Sequence, residues 1–500
     1  MSSDQMARAK DDHLLSLFDE IDDSTGWDHP GHGRRLVGGV IQASREFAVL
    51  AEQEPERILT LVRRFQPGRQ ETVTGQAING LAKSALASEE LFSLIQELNK
   101  SGFTSDSFRT NVAEALGIRA QREHGLPDAM LAILEGWLRD HPEPPPERVQ
   151  SDYDQAGSNS ILWEHGRMFT FGGGRAHFIE TIAKGYLLRH PPDIERWACT
   201  ISQMLDFESH PDVWRIALIN MPYLFNGDNS TATTLFDQLF IRHPRVRDNW
   251  EGVLAVAHVL RLVTNFEIAR NWLVKIRDSE WTLGRQAFGE LLMLWRCYHK
   301  DDEWGKEQIE QNLDNTNATD VWRGIAFTAS HTWHWASCQD ICADVLVRLA
   351  ATTDEITQGA IAKVFRYGEP LPLNRSMKNI IEAILPHDAV LIKSAQALIE
   401  GIETNTTAEP DLVYRICKRV LDSGVQQISS MATSLSMLAE PLVRISMTLH
   451  RMEEYRSLGL ELFEQLIESD INEARQALDL LDRSPTITLI HARRPRRRHR

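Results

Sequence analysis

Two stretches of the sequence, RHPPDIERW (189–197) and RHPRVRDNW (242–250), share an Arg-His-Pro corner with a tryptophan seven residues after the histidine. The two histidines lie 53 residues apart, and another corner, His141-Pro142, lies 49 residues before the first. The tetrapeptide Asp-Val-Trp-Arg also occurs twice, at 212–215 and 320–323, 108 residues apart. Self-similarity of this kind is typical of stacked helical repeats, because one helix pair cannot bury its apolar faces alone. We therefore predict repeats with a period of about 50 residues.

Helix signals recur along the chain. Ser88 has the character of an N-cap and Gly102 that of a C-terminal stop. Between them, apolar residues follow the helical spacing i, i+3, i+4, i+7: Leu91, Leu94, Ile95 and Leu98. Roughly 20 such segments, joined by short connections and without alternating strand patterns, predict an all-α fold. We expect an α-solenoid of stacked antiparallel helix pairs, a HEAT/TPR-like superhelix.

Composition divides this predicted array at a Pro-rich stretch, at a weaker break and at an abrupt change to arginine. The parts are an N-terminal helical module (1–141), a Pro-rich linker or loop (142–159), a central helical-repeat array (160–402), C-terminal helical repeats (403–482) and an Arg-rich tail (483–500). We expect the tail to be disordered, because it has no apolar pattern to dock.

The overall composition is that of a folded chain. Of 500 residues, 42% are apolar and 25% are charged. The sequence has no apolar run of about 18 residues, so we expect no membrane segment. The first twelve residues are polar and do not resemble a secretory signal. The five cysteines, an odd number without a Cys-x-x-Cys pair, favour the reducing cytoplasm.

The net charge of −16 is unevenly distributed. Without six arginines near the C-terminus the chain would carry −22: Arg493, Arg494, Arg496, Arg497, Arg498 and Arg500. An acidic body repels nucleic acid and suits a basic partner, although surface charge also keeps a large array in solution. The tail fits nucleic-acid binding, a localisation signal, or a C-terminus translated out of register.

Ten of the thirteen tryptophans lie between Trp197 and Trp335. Such large side chains either fill the seams between stacked helices or anchor a partner on a concave surface. Trp197 and Trp250 stand at equivalent positions after their His-Pro corners. We predict that both are buried in the core of the array.

The sequence lacks the familiar catalytic motifs. It has no Gly-x4-Gly-Lys-[Ser/Thr] phosphate loop, no His-Glu-x-x-His and no Gly-x-Ser-x-Gly. The run Gly172-Gly173-Gly174 with Arg175 precedes a predicted helix over 176–189, and forms either an anion site or a flexible turn. We predict no catalytic, cofactor or metal site.

Two clusters contain residue types that metals prefer. His331, His334, Cys338 and Cys342 would share a face if one helix carried them all. One straight helix supplies two ligands at most, so a packed seam is the expectation. The loop Asp28-His29-Pro30-Gly31-His32 offers metal ligands or a capped turn. A metal-dependent enzyme that uses His331, His334 or Cys338 is the weakest functional hypothesis.

Several short sequence segments resemble the helical repeats of a known family. They are Ser44–Ala48, Glu54–Arg57, Phe65–Pro67, Leu131–Leu138, Gly174–Ala176, Ile182-Ala183, Phe236–Pro244 and Ala269–Leu273. Together they are similar to the C-terminal HEAT/TPR-like arrays of very large bacterial STAND NTPases, including the Avs-type antiphage defence proteins. The resemblance covers most of residues 1–480.

This resemblance implies partner sensing. In those proteins the array recognises a target, often a phage protein, while an NTPase oligomerises and an effector acts. The present sequence has neither of these domains, so the resemblance implies a sensor array that is a separate subunit or a fragment. We expect a non-enzymatic cytoplasmic module that binds a phage protein or an NTPase subunit without a cofactor. The alternative is a nucleic-acid-binding α-solenoid that uses the tail and basic spots such as 242–247.

Overall fold

Every regular element in the described part of the computed structural model is helical. The structure describes residues 2–21, 40–142, 159–164, 174–366, 370–424, 432–468 and 474–475. Within these ranges the chain forms 25 α-helices and four short 3₁₀ segments, and no residue lies in a strand. The predicted all-α class is confirmed. Among the described residues, no helix has the length and apolar character needed to cross a membrane.

The chain forms two compact units. Unit 1 consists of 1–155 and 165–284, and unit 2 consists of 156–164 and 285–500. The helices of unit 1 are α1 (Ser3–Arg8), α2 (Asp11–Glu20), α3 (Val40–Gln53), α4 (Pro55–Val62), α5 (Glu71–Lys83), α6 (Ser88–Lys100), α7 (Asp106–Arg122), α8 (Asp128–Asp140), α9 (Gly174–Leu187), α10 (Ile194–Phe207), α11 (Pro211–Asn220), α12 (Asn229–Arg242), α13 (Pro244–Arg247), α14 (Trp250–Val259) and α15 (Phe266–Arg277).

Unit 2 contains the remaining ten α-helices. They are α16 (Gly284–Tyr298), α17 (Glu303–Asp314), α18 (Thr319–Thr332), α19 (Gln339–Leu349), α20 (Glu355–Ala362), α21 (Arg375–Ile384), α22 (Asp388–Ile402), α23 (Pro410–Gly424), α24 (Ala432–Arg451) and α25 (Arg456–Glu468). A 3₁₀ segment, Lys363–Arg366, directly continues α20. The predicted five-part division of the chain rests on composition and stays a prediction.

Polar N-caps explain where many helices begin, because their side chains accept the otherwise unpaired N–H groups of the first turn. Such caps are Ser105, Asp193, Asp228, Asn249, Asn265, Asp302, Asp354 and Asn374. The prediction for Ser88 was wrong by one residue. Ala87 is the N-cap of α6, and the Ser88 hydroxyl donates to Glu123 Oε1 (2.8 Å). Gly102 follows the helix with a φ of 93°, as a stop residue should.

Helices pack on their next-but-one neighbours. In unit 1, α3, α5, α7, α9 and α11 pack in succession, as do α10 and α12, and α12 in turn packs on α15, its third neighbour along the chain. In unit 2, α18, α20, α22 and α24 form such a succession, while α19 packs on α21 and α23 on α25. Gly324 allows α18 to approach α16 closely, since a Cβ there would lie 2.7 Å from the backbone nitrogen of Glu290.

The step between many of these neighbours is shorter than 50 residues, so the predicted period was wrong for them. Their hydrogen bonds join residues 33 to 38 positions apart: Asn79–Glu114, Asn99–Trp137, Asp237–Trp272, Asp314–Arg348 and Glu382–Arg415. The step is longer between α23 and α25, where Tyr414 and Glu461 are 47 positions apart, and between α7 and α9, where Ala113 and Thr181 are 68 apart. The 108-residue separation of the Asp-Val-Trp-Arg copies therefore corresponds to three steps. The arginines of the two copies have matching roles, since Arg215 pairs with Glu251 (2.6 Å) and Arg323 with Asp354 (2.8 Å).

The His-Pro corners are not equivalent, which explains the wrong period. His141 and His243 are the C-caps of α8 and α12, and their rings pack on Phe178 (5.3 Å) and Trp214 (5.6 Å). His190 follows α9 and is exposed. The corner ends helices at both positions of a helix pair. The distance between two corners therefore does not measure the length of a repeat.

Trp197 and Trp250 are buried, as predicted, with 0% and 8% of their surface exposed. Trp197 lies on α10 and donates its indole N–H to Asn220 O (3.3 Å), whereas Trp250 is the first residue of α14, which packs on α11. Because α10 and α14 belong to different successions of helices, the predicted equivalence of the two positions was wrong. Other buried tryptophans also have bonded N–H groups: Trp214, Trp272 and Trp295. They fill helix seams.

Candidate peptide-binding surface

The structure does not place the four predicted metal-ligand residues on one helix. α18 ends at Thr332 and α19 begins only at Gln339. His331 is buried with its Nδ1 2.8 Å from Phe327 O, whereas the side chain of His334 is exposed. In the part of the chain that the structure describes, no three His, Cys, Asp or Glu side chains are grouped so that they could hold a metal.

Cys338 and Cys342 belong to a buried cluster with Cys297 and Thr332. Thr332 Oγ1 lies 3.6 Å from Cys297 Sγ and 3.5 Å from Cys342 Sγ. Cys338 Sγ lies 3.6 Å from Cys297 O. The hydrogen bond with Cys297 and burial raise the pKa of the Cys338 thiol, so this side chain is a poor nucleophile at neutral pH. The cluster is part of the packing between helices.

Arg175 is held by protein groups, so the anion-site interpretation was wrong for this residue. Its Nε and Nη2 donate to His141 O (2.8 and 2.5 Å), and its Nη1 lies 3.3 Å from Glu208 Oε2. His141 Nε2 in turn lies 3.0 Å from Asp106 Oδ1. This network joins the ends of α8 and α10. Three other predicted features lie outside the described residues: the loop with possible metal ligands (28–32), the first two glycines of the Gly run (172–173) and the Arg-rich tail (483–500).

The basic stretch 242–247 contains arginines that already have carboxylate partners. Arg242 Nη1 lies 2.9 Å from Asp206 Oδ1, and Arg247 Nε lies 2.5 Å from Asp248 Oδ1. Binding a phosphate would require these ion pairs to break, which weakens the electrostatic gain. The stretch therefore gives no support to the nucleic-acid alternative.

A short segment, which we call the strap (159–164), is held by residues more than 120 positions further along the chain. It belongs to unit 2, although the chain on either side of it belongs to unit 1. The sequence prediction placed it at the boundary between the linker and the central array and gave it no role. The signal that marks it is an apolar triplet, Ile161-Leu162-Trp163, inside a polar stretch.

Glu290 of α16 anchors the N-terminal half of the strap. This side chain has no exposed surface. Its carboxylate accepts hydrogen bonds from the Ser160 hydroxyl (2.7 Å) and from the backbone N–H groups of Ile161 (2.8 Å) and Leu162 (2.9 Å). Gln286 donates to both Glu290 Oε1 (3.1 Å) and the carbonyl oxygen of Asn159 (2.8 Å). Burial raises the pKa of Glu290, while these donors favour its charged form.

Trp163 is the second anchor of the strap. Its ring stacks on His331, with centroids 5.6 Å apart and an interplanar angle of 9°. Its indole N–H donates to Thr328 Oγ1 (3.3 Å), and its edge faces Trp335 (6.3 Å). Even so, 37% of the Trp163 surface is exposed. The indole therefore lies in a shallow aromatic cleft rather than in the core.

Glu164 is the third anchor. Its carboxylate accepts a hydrogen bond from Lys363, whose ammonium lies 4.6 Å from the centroid of the Phe327 ring. Burial opposes its ionisation, yet the hydrogen bonds from Lys363 and from the Ser160 backbone hold the pKa of Glu164 below its ordinary value. Burial likewise lowers the pKa of the adjacent His331, so this ring is neutral at pH 7. The strap thus ends in an ion pair.

These contacts define a surface on unit 2 that we call the strap site. Its residues come from α16, α18, the 3₁₀ segment that continues α20, and the connection after α18: Gln286, Glu290, Thr328, His331, Trp335 and Lys363. The strap site binds a hydroxyl and two backbone N–H groups at Glu290, an indole at Thr328 and His331, and a carboxylate at Lys363. Such a combination of groups is suited to holding a peptide.

Comparisons with known proteins give no family for this chain. No family model and no curated protein matches it. One similar solved structure is described as the crystal structure of an engineered protein, with 14% sequence identity and a TM-score of 0.25. The match covers 86% of this chain and 94% of that one, but a score this low carries no argument about fold or function.

Proposed function

We propose that this chain is a non-enzymatic helical-repeat protein that binds another protein through the strap site. The succession of next-but-one helix contacts supports an α-solenoid, because such arrays bury their core between neighbouring units. The step of 33 to 38 residues found at many of these contacts is close to the length of a TPR repeat, about 34 residues. This step favours the TPR-like form of the solenoid over the HEAT-like form.

The observation that carries the proposal is the fully buried carboxylate of Glu290, whose acceptor oxygens face the backbone N–H groups of a segment about 130 residues away in sequence. Burying a carboxylate is costly unless donors replace its water. A buried carboxylate that binds the backbone N–H groups of a short segment is a feature expected of a peptide-binding surface. Lys363 and the cleft beside His331 add selectivity for particular side chains.

The partner that we propose is a protein, and the resemblance to the arrays of STAND NTPases suggests a phage protein or a separate NTPase subunit in the bacterial cytoplasm. In that setting the strap site would be the target-recognition surface of a defence system. The chain itself would make or break no bond, and it would need no cofactor.

Site-specific photo-crosslinking tests this function. Benzoylphenylalanine would replace Trp335, which lies in the strap site, and as a matched control Val347 of α19, which is 37% exposed. Both proteins would be irradiated in uninfected and phage-infected bacteria. We expect a specific protein to crosslink to position 335 and not to position 347. If both positions give the same products, or neither gives any, the proposed binding surface is wrong.

A further inference from the structure

Building on the protein-binding function above, we propose that the strap is an internal ligand of the strap site, and that a partner displaces it with a segment of the same chemistry. The strap contacts the site as a bound peptide would. Its hydrogen bonds to the site come from backbone N–H groups and from the ends of side chains. Among its residues, Ile161 is buried to 1% exposure, while Trp163 keeps a large exposed surface.

The chemistry of the site specifies the occupant. Glu290 requires a turn that presents two consecutive N–H groups and a hydroxyl, as Ser160 does. The stacking position beside His331 requires an aromatic ring with an N–H donor, and Lys363 requires a carboxylate one residue later. The partner segment is therefore Ser or Thr, two aliphatic residues, Trp, and Glu or Asp.

The buried charge favours exchange of occupants over an empty site. If the strap left and nothing replaced it, Glu290 would lose three of its donors and Lys363 its carboxylate partner. Water would then have to replace the donors of Glu290 and the carboxylate partner of Lys363 between packed helices, so the empty state is disfavoured. A partner segment that supplies the same donors and the same carboxylate removes this cost. The strap then acts as an autoinhibitory plug that gives way only to a matching sequence.

Attachment to the same chain makes the strap a strong competitor. If the strap's own intrinsic dissociation constant is about 10 µM, an effective concentration on the order of 1 mM keeps the site about 99% occupied by the strap. A free peptide would therefore bind the wild-type protein about 100-fold more weakly than a protein whose strap has been released. This ratio is the measurable consequence of the internal-ligand arrangement.

The test uses full-length protein and the blocked peptide acetyl-NSILWE-amide, the sequence of residues 159–164. The strap-released variant carries Ile161→Ser and Trp163→Ala, and isothermal titration calorimetry measures binding. We expect at least tenfold tighter binding to this variant than to wild type. The peptide acetyl-NSILWQ-amide should bind the released variant several-fold more weakly. Adding Lys363→Met to that variant should abolish the difference between the two peptides.

Circular dichroism would establish that the released variant is folded. If it is not, the milder Glu164→Gln replaces it, with an expected gain in peptide affinity of at least threefold. Equal peptide affinity for wild type and variant, or no binding to either, overturns the internal-ligand proposal. A concentration-dependent wild-type dimer with closed sites would also overturn it, because the occupant would then be the strap of a second copy. The crosslinking result at position 335 stands apart from all of these outcomes, so failure here is distinguishable from failure of the proposed function.

Discussion

Replacing Glu290 with glutamine should loosen the strap while leaving the helices intact. Glutamine has the same shape, but only one of its terminal atoms accepts hydrogen bonds. The other becomes an NH₂ group that faces N–H and O–H donors, because Ser160, Ile161, Leu162 and Gln286 all donate to the native carboxylate. At least one buried donor is left without an acceptor.

The magnitude follows from that lost acceptor. A buried donor without a partner costs about 1–3 kcal/mol, and hydrogen bonds to a charged acceptor lie at the upper end of this range. The opening equilibrium of the strap should therefore rise by about 5- to 150-fold. Since the cost falls on the strap and not on the seam between α16 and α18, global unfolding should change much less.

Hydrogen exchange of the backbone amides of Ile161 and Leu162, followed by mass spectrometry, measures this opening directly. Glu310→Gln on the exposed surface of α17 is the matched control and should leave strap exchange unchanged. Unchanged exchange at 161–162 in the Glu290→Gln protein would refute the anchoring role of this carboxylate. Equally faster exchange throughout α16 and α18 would show instead that Glu290 holds the helices rather than the strap.

Three further changes test the packing of the array. Trp197→Ala should cost about 3–5 kcal/mol in a chemical-denaturation or thermal melt, because Trp197 is fully buried, and a harmless Trp197→Ala would contradict the seam assignment. The control Tyr223→Ala, at a side chain that is 49% exposed, should change stability by less than about 0.5 kcal/mol. Deletion of residues 493–500 should leave the melting temperature nearly unchanged. Gly324→Ala should destabilise the folded protein by about 1–3 kcal/mol, because the added Cβ would press on the backbone of α16. The control Gly359→Ala, whose Cβ meets nothing within 4 Å, should be neutral or slightly stabilising. Equal effects of the two substitutions would show that α16 and α18 are not in close contact. Burial lowers the pKa of His243 below its ordinary value of 6.5, so its contribution to stability is present above pH 6.5 and is lost as the pH falls through the folded-state pKa. Urea unfolding at pH 5 and 7.5 should therefore show that His243→Gln loses less unfolding free energy at pH 5 than wild type does. The control His190→Gln, at an exposed site, should behave as wild type.

The sequence predicted what local patterns determine. Apolar spacing and the Gly102 stop identified helix α6, and the size of Trp197 and Trp250 placed them in the core, because these properties depend on neighbouring residues. The repeat length could not be predicted from such local patterns. The His-Pro corners at His141, His190 and His243 follow helices of different successions, whereas the true step appears in pairs such as Asn79 and Glu114, which are matched only after folding.

The strap was beyond the reach of the sequence for a related reason. Ser160 and Trp163 look like ordinary loop residues, and nothing near them indicates Glu290, 130 positions further on. The same limit applies to His331 and Cys338, whose spacing suggested a shared helical face. The chain leaves the helix after Thr332, and Trp335 then stacks on Tyr298 (5.9 Å), so the helical face that their spacing assumed is never formed.

The affinity of a partner captured at position 335 for the strap-released protein (Ile161→Ser, Trp163→Ala) and for the same protein with Lys363→Glu tests the central claim most directly, because an intact strap would lose the same ion pair and offset the change. Charge reversal places a carboxylate where the site now holds an ammonium, so an acidic partner segment should be repelled. We predict at least a tenfold loss of affinity, with unchanged circular dichroism. Equal affinity of the two folded proteins would contradict the assignment of the strap site as the surface that binds the partner.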